Sequence, residues 1–318
     1  MTMKSKLLID TDPGVDDTLA LFFALGLENI EVREVTTCAG NAAIETVTRN
    51  ARFVLERVGA HKISVSEGAR EPRAQELIRA VVHGEEALGG VMIPDEWEAP
   101  GTSDATAVEA MRRYLGNSDG APRTVVALGP LTNVAELIDS SPTALRPTDR
   151  LVILGGTHMG PGNKGPVAEF NFRCDPEAAD IVLERCPCPV FLVPLDLCMR
   201  NVLSLCDFAR VRDPLLRNFL EDLCRDYAAA NDAEEGIEGI LMYDPLAIFC
   251  AAHPELFTFE KVWMRVDTGS SFARGMSVVD RRLRSDLPKN VSIATDVHWE
   301  GFVEAFFSAL DRLRFQRA

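Results

Sequence analysis

The chain has 318 residues, 47% of them hydrophobic, with a formal net charge of −15. That length suits one large α/β unit with a sizeable core. The negative charge argues against a nucleic-acid backbone or an anionic membrane as partner and leaves a neutral small molecule open. The eight cysteines are scattered without a CxxC pair. Cys186-Pro187-Cys188 is spaced too closely for a structural zinc knuckle, so reduced, mostly buried thiols and a cytoplasmic location are expected. Met1 to Ser5 carries one lysine and Lys6 follows, but Leu7-Leu8-Ile9 is too short for a signal segment. No apolar run approaches a membrane span.

The first element is the most informative. Leu7-Leu8-Ile9-Asp10-Thr11-Asp12 is an apolar run ending in carboxylates, followed by a Pro13-Gly14 turn, then Asp16-Asp17 at the head of an apolar-periodic helix. Val32 to Thr37 reads as a second strand that ends in Gly40-Asn41, and residues 42 to 58 have helical periodicity. Ile63 to Val65 is a short strand. Ala74 to Val82 reads as helical, and a loop rich in glycine and acid then continues to about Gly101. Ser103 or Asp104 is the expected cap of the helix that runs to Tyr114.

Thr124 to Leu128 is a buried strand ending in Gly129-Pro130-Leu131-Thr132-Asn133, where a helix starts. Leu151 to Leu154 is another strand, followed by a glycine-rich loop from Thr157 to Asn171. Asp175-Pro176 opens a helix in N-cap, N1 order, and Pro189 to Val193 is a strand. Leu203 to about Ala230 looks helical, and Tyr243-Asp244-Pro245 begins a further apolar helix. Residues 259 to 267, 275 to 280 and 290 to 295 read as late strands, and His298 to Leu313 as a closing amphipathic helix.

Strands alternating with helices predict a single domain over residues 1–318. Its fold class is α/β: an open, mostly parallel, doubly wound sheet with a late strand meander. Such sheets bind ligands beyond the carboxyl ends of their strands. Asp12, Asn41, Leu128, the Gly155–Asn171 loop and Asp196 all follow strands, so they are expected to converge. Capping the first helix needs one aspartate, whereas Asp10, Asp12, Asp16 and Asp17 lie within eight residues. A hard cation with oxygen ligands resolves that repulsion. Asp244 is a candidate distant ligand, and the Leu128 carbonyl a candidate backbone ligand.

The stretch Asp10-Thr11-Asp12-Pro13-Gly14-Val15-Asp16-Asp17 resembles the signature of the inosine–uridine-preferring nucleoside hydrolases. Gly40-Asn41, Val82-His83-Gly84, Leu128 to Asn133, Gly162-Asn163, Val167 to Asn171, Asp175 to Ala179 and Asp244-Pro245 continue the resemblance in the same order. It implies Ca²⁺-dependent hydrolysis of the N-glycosidic bond of ribonucleosides to ribose and free base. Asp12 then resembles the general base and a metal ligand. Asp17, Asp244 and the Leu128 carbonyl resemble further ligands, while Asp16, Asn41, Asn163, Glu169, Asn171 and Asp244 resemble the ribose-binding set. Asp10 resembles support behind them. His83 and Tyr227 match positions near the base. The resemblance also implies a homo-oligomer, dimer or tetramer.

These residue types suit the chemistry. Cleavage develops oxocarbenium character, which carboxylates and amide oxygens stabilise, while Ca²⁺ holds sugar hydroxyls and a water whose proton Asp12 takes. Two departures stand out. Purine- and uridine-cleaving members commonly carry His before the late Asp-Pro as the acid for the leaving base, and this chain has Tyr243. The Gly160–Gly165 stretch differs at the 5′-hydroxyl end. Two alternatives stay open: a phosphatase of the haloacid-dehalogenase type, which also places Asp-x-Asp after its first strand, and a nucleoside-binding protein without turnover.

Overall fold

The computed structural model describes residues 4–98, 103–117 and 121–316; the end of the expected loop near Gly101 and the start of the Met1–Ser5 stretch lie outside them. In chain order the first half runs β1 (Ser5–Thr11), α1 (Val15–Gly26), β2 (Ile30–Thr37), α2 (Ile44–Arg57), β3 (Ser64–Glu67), α3 (Ala107–Gly116), β4 (Thr124–Ala127), α4 (Thr132–Ser140) and β5 (Arg150–Leu154). Next come α5 (Phe170–Cys174), α6 (Pro176–Arg185), β6 (Val190–Val193), α7 (Leu195–Cys198), β7 (Val202–Leu203) and α8 (Pro214–Glu235). The chain ends with β8 (Ile240–Leu241), α9 (Tyr243–Ala252), β9 (Phe257–Val266), β10 (Ser277–Asp280), β11 (Val291–Val297) and α10 (Trp299–Leu310).

Nine strands form one sheet in the order β10-β9-β11-β6-β5-β4-β1-β2-β3. From β11 to β3 the neighbours are parallel; β9 joins β11 and β10 joins β9 antiparallel. The late strands form an antiparallel extension but not the expected meander, because β9 rather than β10 lies between the other two. Alternating side chains feed opposite faces, as the pleat requires. Leu7 and Ile9 of β1 enter one core with α1, α2, α8, α9 and α10, while Leu8 enters the other with α3, α4 and α6. All three are fully buried, each stabilising the fold by about 1.5–3 kcal/mol. That two-sided burial is why these strands read as continuous apolar runs.

Three local expectations are corrected. Residues 74–82 are irregular, not helical. Their polar groups bond to α5 instead: Gln75 Nε2 donates to the carbonyls of Arg173 (2.8 Å) and Cys174 (2.7 Å), and Cys174 Sγ donates to the Ile78 carbonyl (3.3 Å). The cap of α3 is Thr106, in a reciprocal box with Glu109, while Ser103 Oγ accepts from Ala105 N–H and the Ser66 hydroxyl. The segment from Leu203 is not one helix, because Asp213-Pro214 starts α8 afresh: Asp213 accepts the Leu215 N–H at 2.9 Å. Among the described residues, no helix is long and apolar enough to cross a membrane.

Candidate active site

Packing in the first core positions the acidic residues. Phe23 of α1 meets Phe249 of α9 at 6.3 Å and Phe302 of α10 at 5.7 Å between ring centroids. The amino-terminal turns of α1 and α9 therefore face the same space, beyond the carboxyl end of β1. Each turn favours negative charge through its unpaired N–H groups.

Asp12 leaves β1 between two bare backbones. A Cβ on Gly40 would fall 2.1 Å from Asp12 Oδ2, and one on Gly129 would fall 2.3 Å from Oδ1. These glycines follow β2 and β4, the neighbours of β1, and make room for its carboxylate. The Asn41 N–H donates to Asp12 Oδ2 at 2.7 Å, and Asn41 Nδ2 donates to the Asp12 carbonyl and to Asp17 Oδ2, both at 3.0 Å. Asp17 also accepts the N–H groups of Asp12 (3.2 Å) and Gly14 (3.0 Å) and the Thr11 hydroxyl. Asp10 lies behind, accepting from Thr36 Oγ1 at 2.6 Å and Asn133 Nδ2 at 2.8 Å.

Among the described residues, Asp16, Asp17 and Asp244 form the tightest carboxylate group, each offering an oxygen within 4.8 Å of the others, a spacing at which they can share a cation. Asp12 is outside this tight group. Asp16 Oδ1 and Asp244 Oδ1 are buried and accept no hydrogen bond. Burial, with the neighbouring carboxylate charges behind it, raises Asp12, Asp16 and Asp244 well above the usual carboxylate range. Asp17 is raised by burial, against the hydrogen bonds it accepts. Buried anions with unpartnered oxygens are costly without a counter-charge, so this donor set fits a hard cation.

The remaining sequence-predicted residues reach the same open pocket, about 780 Å³ including its mouth. Glu169 N-caps α5: Oε1 accepts from Asn171 N–H at 2.7 Å, and Oε2 from Gly156 (2.8 Å) and Phe172 (3.1 Å). Burial pushes its carboxyl up to about 7. Asn163 Oδ1 accepts the Phe170 N–H at 2.9 Å, which folds the glycine-rich loop back over the pocket. Asn171 Nδ2 donates to the Leu128 carbonyl at 2.6 Å and more weakly to Leu154 at 3.3 Å. One lone pair of the Leu128 oxygen is thereby used and a second stays available.

His83 is buried and stacks on Tyr227 at 5.3 Å and 15°. Its Nδ1 accepts the Val15 N–H at 3.3 Å, so its ring proton sits on Nε2. Burial pushes His83 down to about 4, and its 3.8 Å approach to Asp16 is therefore not an ion pair. The Tyr227 hydroxyl is buried without a hydrogen-bond partner. Tyr243 and Asp244 open α9 and line the pocket.

Asp196 does not join them. It accepts from His158 N–H (2.6 Å) and Met159 N–H (3.2 Å) and anchors the loop after β5. Asn231 and Lys164 line the pocket unforeseen. Asn231 carries one signal, its place four residues after Tyr227 on the same helix face.

The profile of the inosine-uridine preferring nucleoside hydrolases matches residues 7–304. A pyrimidine-specific ribonucleoside hydrolase RihA of Shigella boydii is 37% identical over 98% of this chain and 99% of its own. The RihA of Salmonella paratyphi C is 38% identical over 95% and 97%. A plant nucleoside hydrolase, PpNRh1, superposes with a TM-score of 0.87 at 30% identity, over 96% of this chain and 99% of that one. A purine-preferring ribonucleoside hydrolase from Gardnerella vaginalis also gives 0.87, at 28% identity, over 96% of this chain and 98% of that one. With its profile matched over nearly the whole length and its aspartates gathered beyond the strand ends, the chain belongs to the inosine-uridine preferring nucleoside hydrolase family of N-glycosyl hydrolases.

Proposed function

We propose that this enzyme hydrolyses pyrimidine ribonucleosides to ribose and free base, with Ca²⁺ held by Asp12, Asp17, Asp244 and the Leu128 carbonyl. The observation that carries the reading is the buried carboxylate group at the pocket floor, with Asp16 Oδ1 and Asp244 Oδ1 lacking any donor. When bound, Ca²⁺ supplies the positive charge that offsets these anions, anchors vicinal sugar hydroxyls and acidifies water. The chain's own residues do the rest. Asp12 is held by the Asn41 N–H, and its burial raises its proton affinity, which suits a group that takes the proton of an attacking water. Asp16, Asn41, Asn163, Glu169, Asn171 and Asp244 grip ribose and offset the charge developing at C1′. The stacked His83–Tyr227 pair and Tyr243 receive the base.

Pyrimidine choice rests on two supports: the printed specificity of the RihA relatives, and a pocket whose buried histidine is neutral. The phosphatase alternative is not favoured, because among the described lining residues Lys164 is the only lysine or arginine beside Asp12, Asp16, Asp17, Asp244 and Glu169. The test is a panel of uridine, cytidine, inosine and their 2′-deoxy forms, assayed for release of the free base before and after chelation and Ca²⁺ return. Uridine or cytidine should lead. The 2′-deoxy forms should be slower by up to about 10⁴, since a buried polar site is left unpaired. Full activity after chelation, or equal rates on deoxy substrates, would remove the cation and sugar assignments.

A further inference from the structure

Cys186 and Cys188 take no part in the pocket. They join the end of α6 to the start of β6, whereas the pocket lies beyond the carboxyl ends of the strands. Their sulfurs are 3.4 Å apart. Among the described residues no other two cysteines make such a contact. Cys186 is half-buried and reachable, and Cys188 is 5% exposed, packed in the second core.

The backbone holds this contact. Pro187 and Pro189 fix their own φ angles and keep the residues before them extended; Cys186 has φ −63° and ψ 122°. Its N–H is tied to the Val182 carbonyl at 3.0 Å. Val190, one residue beyond Pro189, is paired on both sides, to Leu151 and Val291. The backbone therefore fixes the distance between the two Cβ atoms, which cannot change without shifting α6 or β6. Two thiols held in contact, one reachable and one shielded, form the arrangement that favours intramolecular closure over a lasting mixed disulfide.

We propose that Cys186 and Cys188 form a reversible dithiol–disulfide site that exchanges with low-molecular-weight disulfides of the glutathione type. The Cys186 thiolate attacks one sulfur of the small disulfide, breaking its S–S bond and releasing one thiolate, which takes up the proton Cys186 lost. Cys188 then gives up its proton and attacks Cys186 Sγ, expelling the second small thiolate, which takes up that proton. The protein is oxidised by two electrons, and one small disulfide becomes two thiols. Closure brings the sulfurs from 3.4 Å to roughly 2.05 Å. The hydrogen bond from Cys188 holds the Cys186 thiol below the usual cysteine range, which favours Cys186 as the attacking group.

The experiment incubates the reduced full-length protein with oxidised glutathione near neutral pH. Free thiols are then alkylated under denaturing conditions, and peptides are read by mass spectrometry. The expected wild-type product is a 186–188 peptide that has lost two hydrogens and carries neither alkyl group nor glutathione. Cys188→Ser should instead trap glutathione on Cys186, and Cys186→Ser should leave Cys188 alkylated. The wild-type result decides by itself if either variant fails to fold. Alkylation at both cysteines, or a stable glutathione adduct on Cys186 of the wild type, would overturn the proposal. So would oxidation confined to the exposed Cys206.

Discussion

Tyr243 stands where the resembling enzymes commonly place a histidine, and neither ring of the stacked His83–Tyr227 pair is a substitute acid. His83 accepts the Val15 N–H and is pushed down to about 4 by burial, so it is neutral near pH 7 and offers only an Nε2–H. Tyr227 is raised by burial and by the charge of Asp16, so it too stays protonated. On the proposed placement, these two rings would offer the base hydrogen-bond donors rather than a strong acid. A purine leaves best with a ring nitrogen protonated, so inosine should be turned over slowly, while p-nitrophenyl riboside needs no such help. Tyr243→His should raise inosine turnover by up to about 10²-fold, the lower end of what a positioned acid contributes, and leave the activated riboside nearly unchanged. Parallel changes on both substrates would mean that the substitution only reshaped the pocket. The residues of this site were legible because motifs mark strand ends: Asp12, Asn41, Leu128 and Glu169 all reach the pocket. Asn231 was not, because its Nδ2 bond to the Gly239 carbonyl (3.1 Å) and its place in the pocket depend on how α8 meets the loop beyond it.

At the scale of elements, the parallel strands were readable as apolar runs, while the segment over the pocket was not. Residues 74–82 have apolar spacing that suits a helix, yet their hydrogen bonds go to other parts of the chain. Gln75 is the hub of that arrangement. Its Nε2 holds the end of α5, and its Oε1 accepts from Arg173 Nη1 (3.1 Å) and Arg274 Nε (2.8 Å). Arg274, on the β9–β10 connection, also grips both oxygens of Glu177 on α6, at 2.9 and 2.8 Å. Ala168 bridges to Met276 on the same connection. One cluster thus ties together the stretch leading to His83, the end of the Asn163–Asn171 loop and the edge of the sheet. Each hydrogen bond contributes about 0.5–1.5 kcal/mol net. Gln75→Ala removes two donated and two accepted bonds. Loosened pocket walls should raise KM by about 5–30-fold, equivalent to 1–2 kcal/mol, with kcat changed much less. Arg274→Lys should reproduce part of the defect, because an ammonium cannot span Gln75 and Glu177 as the guanidinium fork does. A loss confined to kcat would mean that the cluster acts on the reacting atoms instead.

For the molecule as a whole, the main electrostatic cost is concentrated at one place. Most ion pairs lie at the surface, where each contributes little. The buried carboxylates are different in kind. Glu169 is pushed up to about 7 by burial from an ordinary 4.5, and Asp16 and Asp244 are raised well above their ordinary 3.8, by burial first and by neighbouring carboxylates next. A raised folded pKa means that the folded chain holds protons the unfolded chain has released. Its stabilising share is present at low pH and is lost as pH rises through the folded value. His83 works oppositely: its folded value is depressed to about 4, so its share is lost as pH falls below its ordinary 6.5. Above pH 6.5 the histidine's share is fully present and constant, so the buried carboxylates set the slope. A cation competes with those protons and favours the ionised cluster. The chelated protein should therefore lose thermal stability between pH 6.5 and about 8, by roughly 2–4 °C per kcal/mol for a chain of this size class. With Ca²⁺ in excess the midpoint should be higher throughout, because binding to the folded state alone stabilises it, and the gap between the two should widen as pH rises. Melting curves at several pH values, with chelator and with Ca²⁺, measure both slopes. A chelated protein whose midpoint is flat across that range, with no gain from Ca²⁺, would mean that the acidic cluster is stabilised by its own hydrogen bonds and holds no cation.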